Sequence, residues 1–201
     1  EERIGKRGKT MNNFNWDSSF CVDFDLINGY SKKAESTKRY LSQMKDMYYD
    51  TAAAEKILER EDPLIYEFYE LGYPERDGDL AFGTTILYPG QVGGEYFMTK
   101  GHFHVKLATA EVYFTLSGEG YMVMEDPKGH TLEMPLEKGQ ALYVPRSYAH
   151  RSVNTGKEPL VMYFTFAADA GHDYGSIETK GYHKMVVERD GKPAIIPNPK
   201  W

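Results

Sequence analysis

At 201 residues, 41% hydrophobic and 14% aromatic, the chain carries enough apolar material for one good core or at most two small ones. A formal net charge of −6 argues against nucleic acid as the main partner, because phosphate backbones demand a basic face, and a single cysteine, Cys21, excludes an intrachain disulfide and fits a reducing compartment. No apolar run reaches the roughly 18 residues that cross a bilayer, and Glu1 to Arg7 lack the apolar core of a signal peptide, so no membrane partner and a soluble, cytoplasmic protein are expected.

Residues 1–17 are charged and polar with no periodicity that would bury a face, which predicts a flexible N-terminal arm. The alternation Phe20, Val22, Phe24, Leu26 predicts a strand ending at Asn28-Gly29, with Cys21 a small core residue. Tyr40, Leu41, Met44 and Met47 recur at helical spacing, and Asp50 or Thr51 can cap a second short helix running to Arg60, stopped by Asp62-Pro63. From Leu64 the texture becomes β. Strands are predicted at Leu64–Tyr69, Leu80–Tyr88, Tyr96–His104, Glu111–Leu116, Tyr121–Glu125, Thr131–Pro135, Gln140–Val144, His150–Asn154, Leu160–Ala167 and Lys184–Arg189. Short strands separated by Gly-rich turns, without intervening helices, read as an antiparallel sandwich or barrel.

Within that run, His102 and His104 stand two apart, so on a strand both imidazoles face one side. Glu111 lies seven residues on and can return to them from a neighbouring strand, and His150 completes a set of three imidazoles and one carboxylate. Such a set suits a divalent transition ion rather than a calcium cage. A lone His in a strand is more often a surface or hydrogen-bonded core residue, so the weight rests on the pattern. Six residues separate Glu111 from Gly118, and a second block reads Gly139, five residues, Pro145, four residues, His150, three residues, Asn154. His130 and His183 fall outside it and receive no function.

This grammar resembles the cupin superfamily, with two departures: a longer interval from His104 to Glu111, and Ser147 where many cupins have Gly. The longer interval narrows the likeness. Thr99-Lys100-Gly101-His102-Phe103-His104, Ala110-Glu111-Val112-Tyr113, Tyr143-Val144-Pro145, Ala149-His150-Arg151 and Ala168 to Gly175 together look like the cupin-type glucose-6-phosphate isomerases. The likeness runs from about Ser18 to Trp201. It implies an all-β fold, a single cupin (jelly-roll-like) β-barrel with an N-terminal extension containing a strand and short helices. Residues 18–201 would form the isomerase domain, and the protein would be a homodimer.

The same resemblance implies that His102, His104, Glu111 and His150 bind one divalent metal per subunit, Fe2+ first, with Mn2+, Ni2+ or Zn2+ as replacements. It places Tyr66, Thr85, Thr99, Gly101, Tyr113, His172 and Tyr174 around a sugar phosphate, and makes Glu111 the candidate catalytic base. Phe166 stands where the family has a Tyr, removing one hydrogen bond worth about 0.5–1.5 kcal/mol. The implied reaction interconverts glucose 6-phosphate and fructose 6-phosphate, either by proton transfer through Glu111 or by a hydride shift that needs no carbon base. Two alternatives belong to other classes. An iron-dependent cupin dioxygenase also suits this donor set, and a sugar-phosphate-binding cupin without catalysis would keep the metal for stability alone.

Overall fold

The computed structural model describes residues 14–175 and 177–201. Residues 1–13 of the expected arm lie outside the described residues. The chain opens with β1 (Ser36–Tyr40), two single 3-10 turns at Leu41–Gln43 and Lys45–Met47, and α1 (Thr51–Leu58). Then follow β2 (Leu64–Glu70), β3 (Leu80–Leu87), β4 (Gln91–Val92), β5 (Glu95–Tyr96), β6 (Glu111–Ser117) and β7 (Glu119–Glu125). The second half holds β8 (Thr131–Glu137), β9 (Ala141–Val144), β10 (Ala149–Asn154), β11 (Leu160–Ala167), α2 (Ile177–Lys180), β12 (Lys184–Arg189) and β13 (Lys192–Pro197).

Every strand pair is antiparallel. A six-stranded sheet runs β1-β2-β3-β11-β6-β9, a three-stranded one β10-β7-β8, and a four-stranded one β13-β12-β5-β4. The inward residues of all three meet in one core, with Ile65 and Leu87 from the first, Met122 and Val153 from the second and Val186 from the third. This is the all-β, antiparallel architecture expected, with β1, α1 and, where the first short helix was expected, the two 3-10 turns at its N-terminal side. Among the described residues, no helix is long and apolar enough to cross a membrane.

Local chemistry explains several boundaries. The Asp50 carboxylate accepts from the backbone N–H of Ala53 at 2.9 Å, satisfying a donor that the first turn of α1 leaves open. Asp62 accepts from both the backbone N–H and the hydroxyl of Ser42, at 2.9 and 2.6 Å, tying the residue before Pro63 to the first 3-10 turn.

The N-terminal strand is not where the alternation put it. Among the described residues, Phe20 to Leu26 forms no strand, and the strand of this region is β1. The alternation has another cause: Phe20 and Phe24 lie on Phe82 of β3, with ring centroids 6.4 Å apart in each case, and Phe24 also meets Tyr163 of β11 at 6.0 Å. Phe20 and Phe24 therefore face an aromatic sheet surface, whereas Leu26 is exposed. Cys21 falls on the other side and is exposed, so it is no core residue.

The predicted strand Tyr96–His104 is also largely absent. Beyond β5 the segment carries only isolated bridges, Met98 to Val153, His102 to His150 and Phe103 to Asp173. Gly101 breaks the pleat, with φ of +71° in the left-handed region that glycine adopts at little cost.

Candidate active site

The four residues predicted to hold a metal come from three pieces of this frame. Glu111 opens β6, opposite Phe166 of β11 and Val144 of β9, and is buried at 3% exposure. His150 points inward from β10 and is 2% exposed. His102 and His104 come from the irregular segment bridged to β10, where His150 N–H donates to the His102 carbonyl at 3.3 Å. One potential ligand atom from each of the four lies within 4.8 Å of the others.

Hydrogen bonds behind the rings decide which nitrogens face inward. Thr109 donates its hydroxyl to the Lys106 carbonyl at 2.7 Å, so its oxygen accepts from His104 Nδ1–H at 2.8 Å. This leaves Nε2 of neutral His104 without a proton, 3.2 Å from Glu111 Oε2. In the same way Nδ1 of His150 reaches the Tyr148 carbonyl at 3.5 Å, and its Nε2 stands 3.0 Å from the same carboxylate oxygen. Among the described residues, neither Nε2 of His150 nor Nε2 of His102 has a hydrogen-bond partner. Lone pairs crowded on a carboxylate in a buried place repel unless a cation lies among them, and this donor set fits a divalent transition ion. Thr109 escaped the sequence reading, because its role depends on residues 105–110 folding back under His104. The Thr109→Val variant is expected to bind its metal about 10–100-fold more weakly, as loss of a ligand's outer hydrogen bond typically does, with equilibrium dialysis as the check.

Electrostatics agree with a neutral His102 and an ionised Glu111. Burial drives the pKa of His102 well below the usual imidazole value, and His150 and His172 push it the same way against the pull of Glu111. For Glu111, burial pushes the pKa up, but the His150 ring first, with His104 and His102 beside it, outweighs it, and the net is a carboxyl well below its ordinary range. Both shifts give metal-free protein the same pH dependence. Between the lowered folded value of His102 and about 6.5, the unfolded state binds the extra proton, so stability falls on acidification from neutral. The Glu111 contribution is present above about 4.3 and is lost as pH falls further. Melting temperature of chelated protein should therefore decline steadily from pH 7 to pH 4; a flat or rising profile would contradict the placement of these groups.

Three of the four, His102, Glu111 and His150, line a cavity. All seven residues predicted to surround a substrate line it: Tyr66, Thr85, Thr99, Gly101, Tyr113, His172 and Tyr174. Burial pushes the Tyr66 hydroxyl up to about 12, so it is a neutral donor at physiological pH. Tyr113 is raised as well, by burial first and then by the Glu111 carboxylate beside it. Thr99 Oγ1 lies 3.2 Å from Ser152 Oγ and accepts from the Ser152 backbone N–H at 3.1 Å. Gly101 has a structural requirement besides any ligand contact, since a Cβ there would come within 2.4 Å of the Tyr182 hydroxyl and 2.8 Å of the His150 carbonyl. Phe166 stacks on His104 at 5.8 Å and meets His172 edge-on at 5.5 Å. Lys100, which also lines the cavity, pairs with Glu178 and lies 4.7 Å over the Tyr174 ring. His130 and His183 do not line it; they pair with Asp126 and Glu125.

A model of the family described as glucose-6-phosphate isomerase (GPI) matches residues 38–196. The chain belongs to the glucose-6-phosphate isomerase family. Its relatives include glucose-6-phosphate isomerases of Thermococcus gammatolerans, 48% identical over 90% of this chain and 96% of the relative, and of Pyrococcus horikoshii, 47% identical over 90% and 95%. One from Sinorhizobium medicae is 39% identical over 88% of this chain and 85% of the relative. Among solved structures, an oxalate oxidase overlaps 56% of each chain at 15% identity with a TM-score of 0.46, a partial likeness that says nothing about reaction. Against the cupin grammar, Ser147 holds φ of +68°, the left-handed conformation a glycine would take there, and its hydroxyl donates to the Leu107 carbonyl at 3.1 Å.

Proposed function

We propose that this isomerase-family protein interconverts glucose 6-phosphate and fructose 6-phosphate in the cavity beside His102, His104, Glu111 and His150. The observation that carries this reading is that His102, Glu111 and His150 of the four-residue donor set line one cavity together with hydroxyl and backbone groups suited to a sugar phosphate. The four donors hold one divalent ion per subunit, with iron(II) the first candidate and manganese, nickel or zinc as replacements. When bound, that ion would polarise the sugar carbonyl and stabilise negative charge on its oxygens.

The remaining chemistry belongs to the chain. Thr85, Thr99, the backbone at Gly101 and the Lys100 ammonium form the polar end of the cavity, where a phosphate dianion finds donors. Tyr66, Tyr113, His172 and Tyr174 orient the sugar hydroxyls and exclude water. Glu111 accepts the hydrogen from one carbon as a proton and returns it to the next, serving as ligand and base in turn. In this role its depressed basicity is a cost, relieved if its hold on the ion loosens when sugar enters. The protein works as a homodimer in the cytoplasm, with its strand edges protected by the second subunit.

A coupled assay in both directions tests the reading. Turnover of glucose 6-phosphate and fructose 6-phosphate without oxygen uptake is expected. Oxygen consumption would favour the dioxygenase, and binding of fructose 6-phosphate by metal-loaded protein without turnover would favour the non-catalytic cupin.

A further inference from the structure

On β10, alternation sends His150 into the cavity and its neighbour Arg151 to the opposite side. Arg151 is 4% exposed, an unusual place for a guanidinium unless something requires it. Its Nη2 donates to the Lys100 carbonyl at 2.9 Å, and its Cζ lies 4.5 Å from the centroid of the Tyr182 ring. Tyr182 is itself fully buried, its hydroxyl set against the backbone at Gly101. Behind it, the Asn198 side chain donates to the Tyr182 carbonyl at 2.8 Å and to the Lys180 carbonyl at 3.1 Å, fixing the segment from the C-terminal side. Arg151 also borders a second, small cavity with Glu95, a buried carboxylate of opposite charge, and among the described residues its Nε has no hydrogen-bond partner.

The segment held from behind in this way is the one whose front carries Thr99, Lys100 and Gly101. With φ of +71° at Gly101 and only isolated bridges to β10, it has no ladder of its own to fix it. Thr99 is tied to β10 by its N–H on the Ser152 carbonyl at 2.9 Å, and the charge-assisted bond from Arg151 to the Lys100 carbonyl, backed by the Tyr182 ring, constrains the residues that follow.

We propose that Arg151 is a positioning residue for substrate binding, holding the Thr99–Gly101 backbone in the conformation that receives the phosphate. The assignment rests on the sugar phosphate reading of the same cavity. It separates Arg151 from the metal set, because His102 is tied to β10 by its own bridge to His150. Its signature is a rise in KM at nearly constant kcat and metal content.

The test is steady-state kinetics of metal-loaded Arg151→Met and Arg151→Lys with fructose 6-phosphate, alongside metal analysis and melting temperature. Arg151→Met is expected to raise KM by about tenfold or more, the scale of losing a hydrogen bond to a charged group, with kcat within about threefold and one metal retained. Arg151→Lys keeps the charge without the planar fork and is expected to recover part of the KM, and it carries the test if the Met variant does not fold. An unchanged KM in a folded variant, whether or not its melting temperature falls, would overturn the assignment, as would loss of metal with KM unaltered. Wild-type protein that turns over no sugar phosphate would instead refute the isomerase reading, and the two failures are distinguishable.

Discussion

The Glu111→Gln variant, assayed at saturating metal, is expected to lose turnover by about 10²–10⁴-fold, the usual contribution of a positioned general base. Glutamine matches the shape of the side chain and can still offer an oxygen, so the change removes charge and basicity more than volume. The carboxylate is 3% exposed, and Oε2 stands 3.0 and 3.2 Å from the inward nitrogens of His150 and His104, so no water can replace it without rearrangement. Metal affinity should fall too, which is why saturation must be shown before kcat is compared. Turnover within about tenfold of wild type under those conditions would remove Glu111 as the base and leave a hydride shift between the carbons. Heavy water gives an independent check: proton transfer through Glu111 predicts solvent hydrogen at C1 or C2 of recovered sugar, and a hydride shift predicts none.

Replacing either His102 or His150 by alanine is expected to abolish stoichiometric metal binding and, with it, activity. Each supplies a buried nitrogen that finds no hydrogen-bond partner among the described residues, so neither loss can be made good by the remaining donors. The stability of the metal-free protein should respond in an unusual way. Cutting back a buried ring ordinarily leaves a costly cavity, but here it also removes a buried, unpartnered polar atom whose retention costs about 1–3 kcal/mol. Melting temperatures of metal-free wild type and variants should therefore lie close together, whereas metal-loaded wild type should melt well above both. Metal analysis and calorimetry on the same samples decide it. A variant that binds a full equivalent of metal would mean that the four side chains do not form one site.

Much of the frame was legible because alternation and turn residues agree along the second half of the chain. Leu160–Ala167 and Lys184–Arg189 are strands to the residue, and the donor set was visible because its spacing is unusual even without coordinates. Periodicity misled where a surface other than a partner strand imposed it. Phe20 and Phe24 alternate because they cover the aromatic face at Phe82, and sequence has no sign that distinguishes such packing from pairing. His102 and His104 converge on the site as their two-residue spacing predicts, although beyond the turn at Gly101 their segment makes only isolated bridges. The strand Lys192–Pro197 was missed because Pro193 and Pro197 argue against pairing, and it survives as an edge strand, where a missing N–H costs little. Thr109 and Arg151 were hidden for a related reason. Each acts through a contact made by chain folding back, Thr109 under a ligand ring and Arg151 behind a loop fifty-one residues away in sequence.

The most direct test of a metal-dependent isomerase is a coupled assay on chelator-stripped protein, with iron(II), manganese, nickel and zinc added back separately. Stripped protein is predicted to interconvert no glucose 6-phosphate and fructose 6-phosphate, and at least one of the four ions is predicted to restore turnover. Full activity after verified stripping, or none with any of the four, would contradict it.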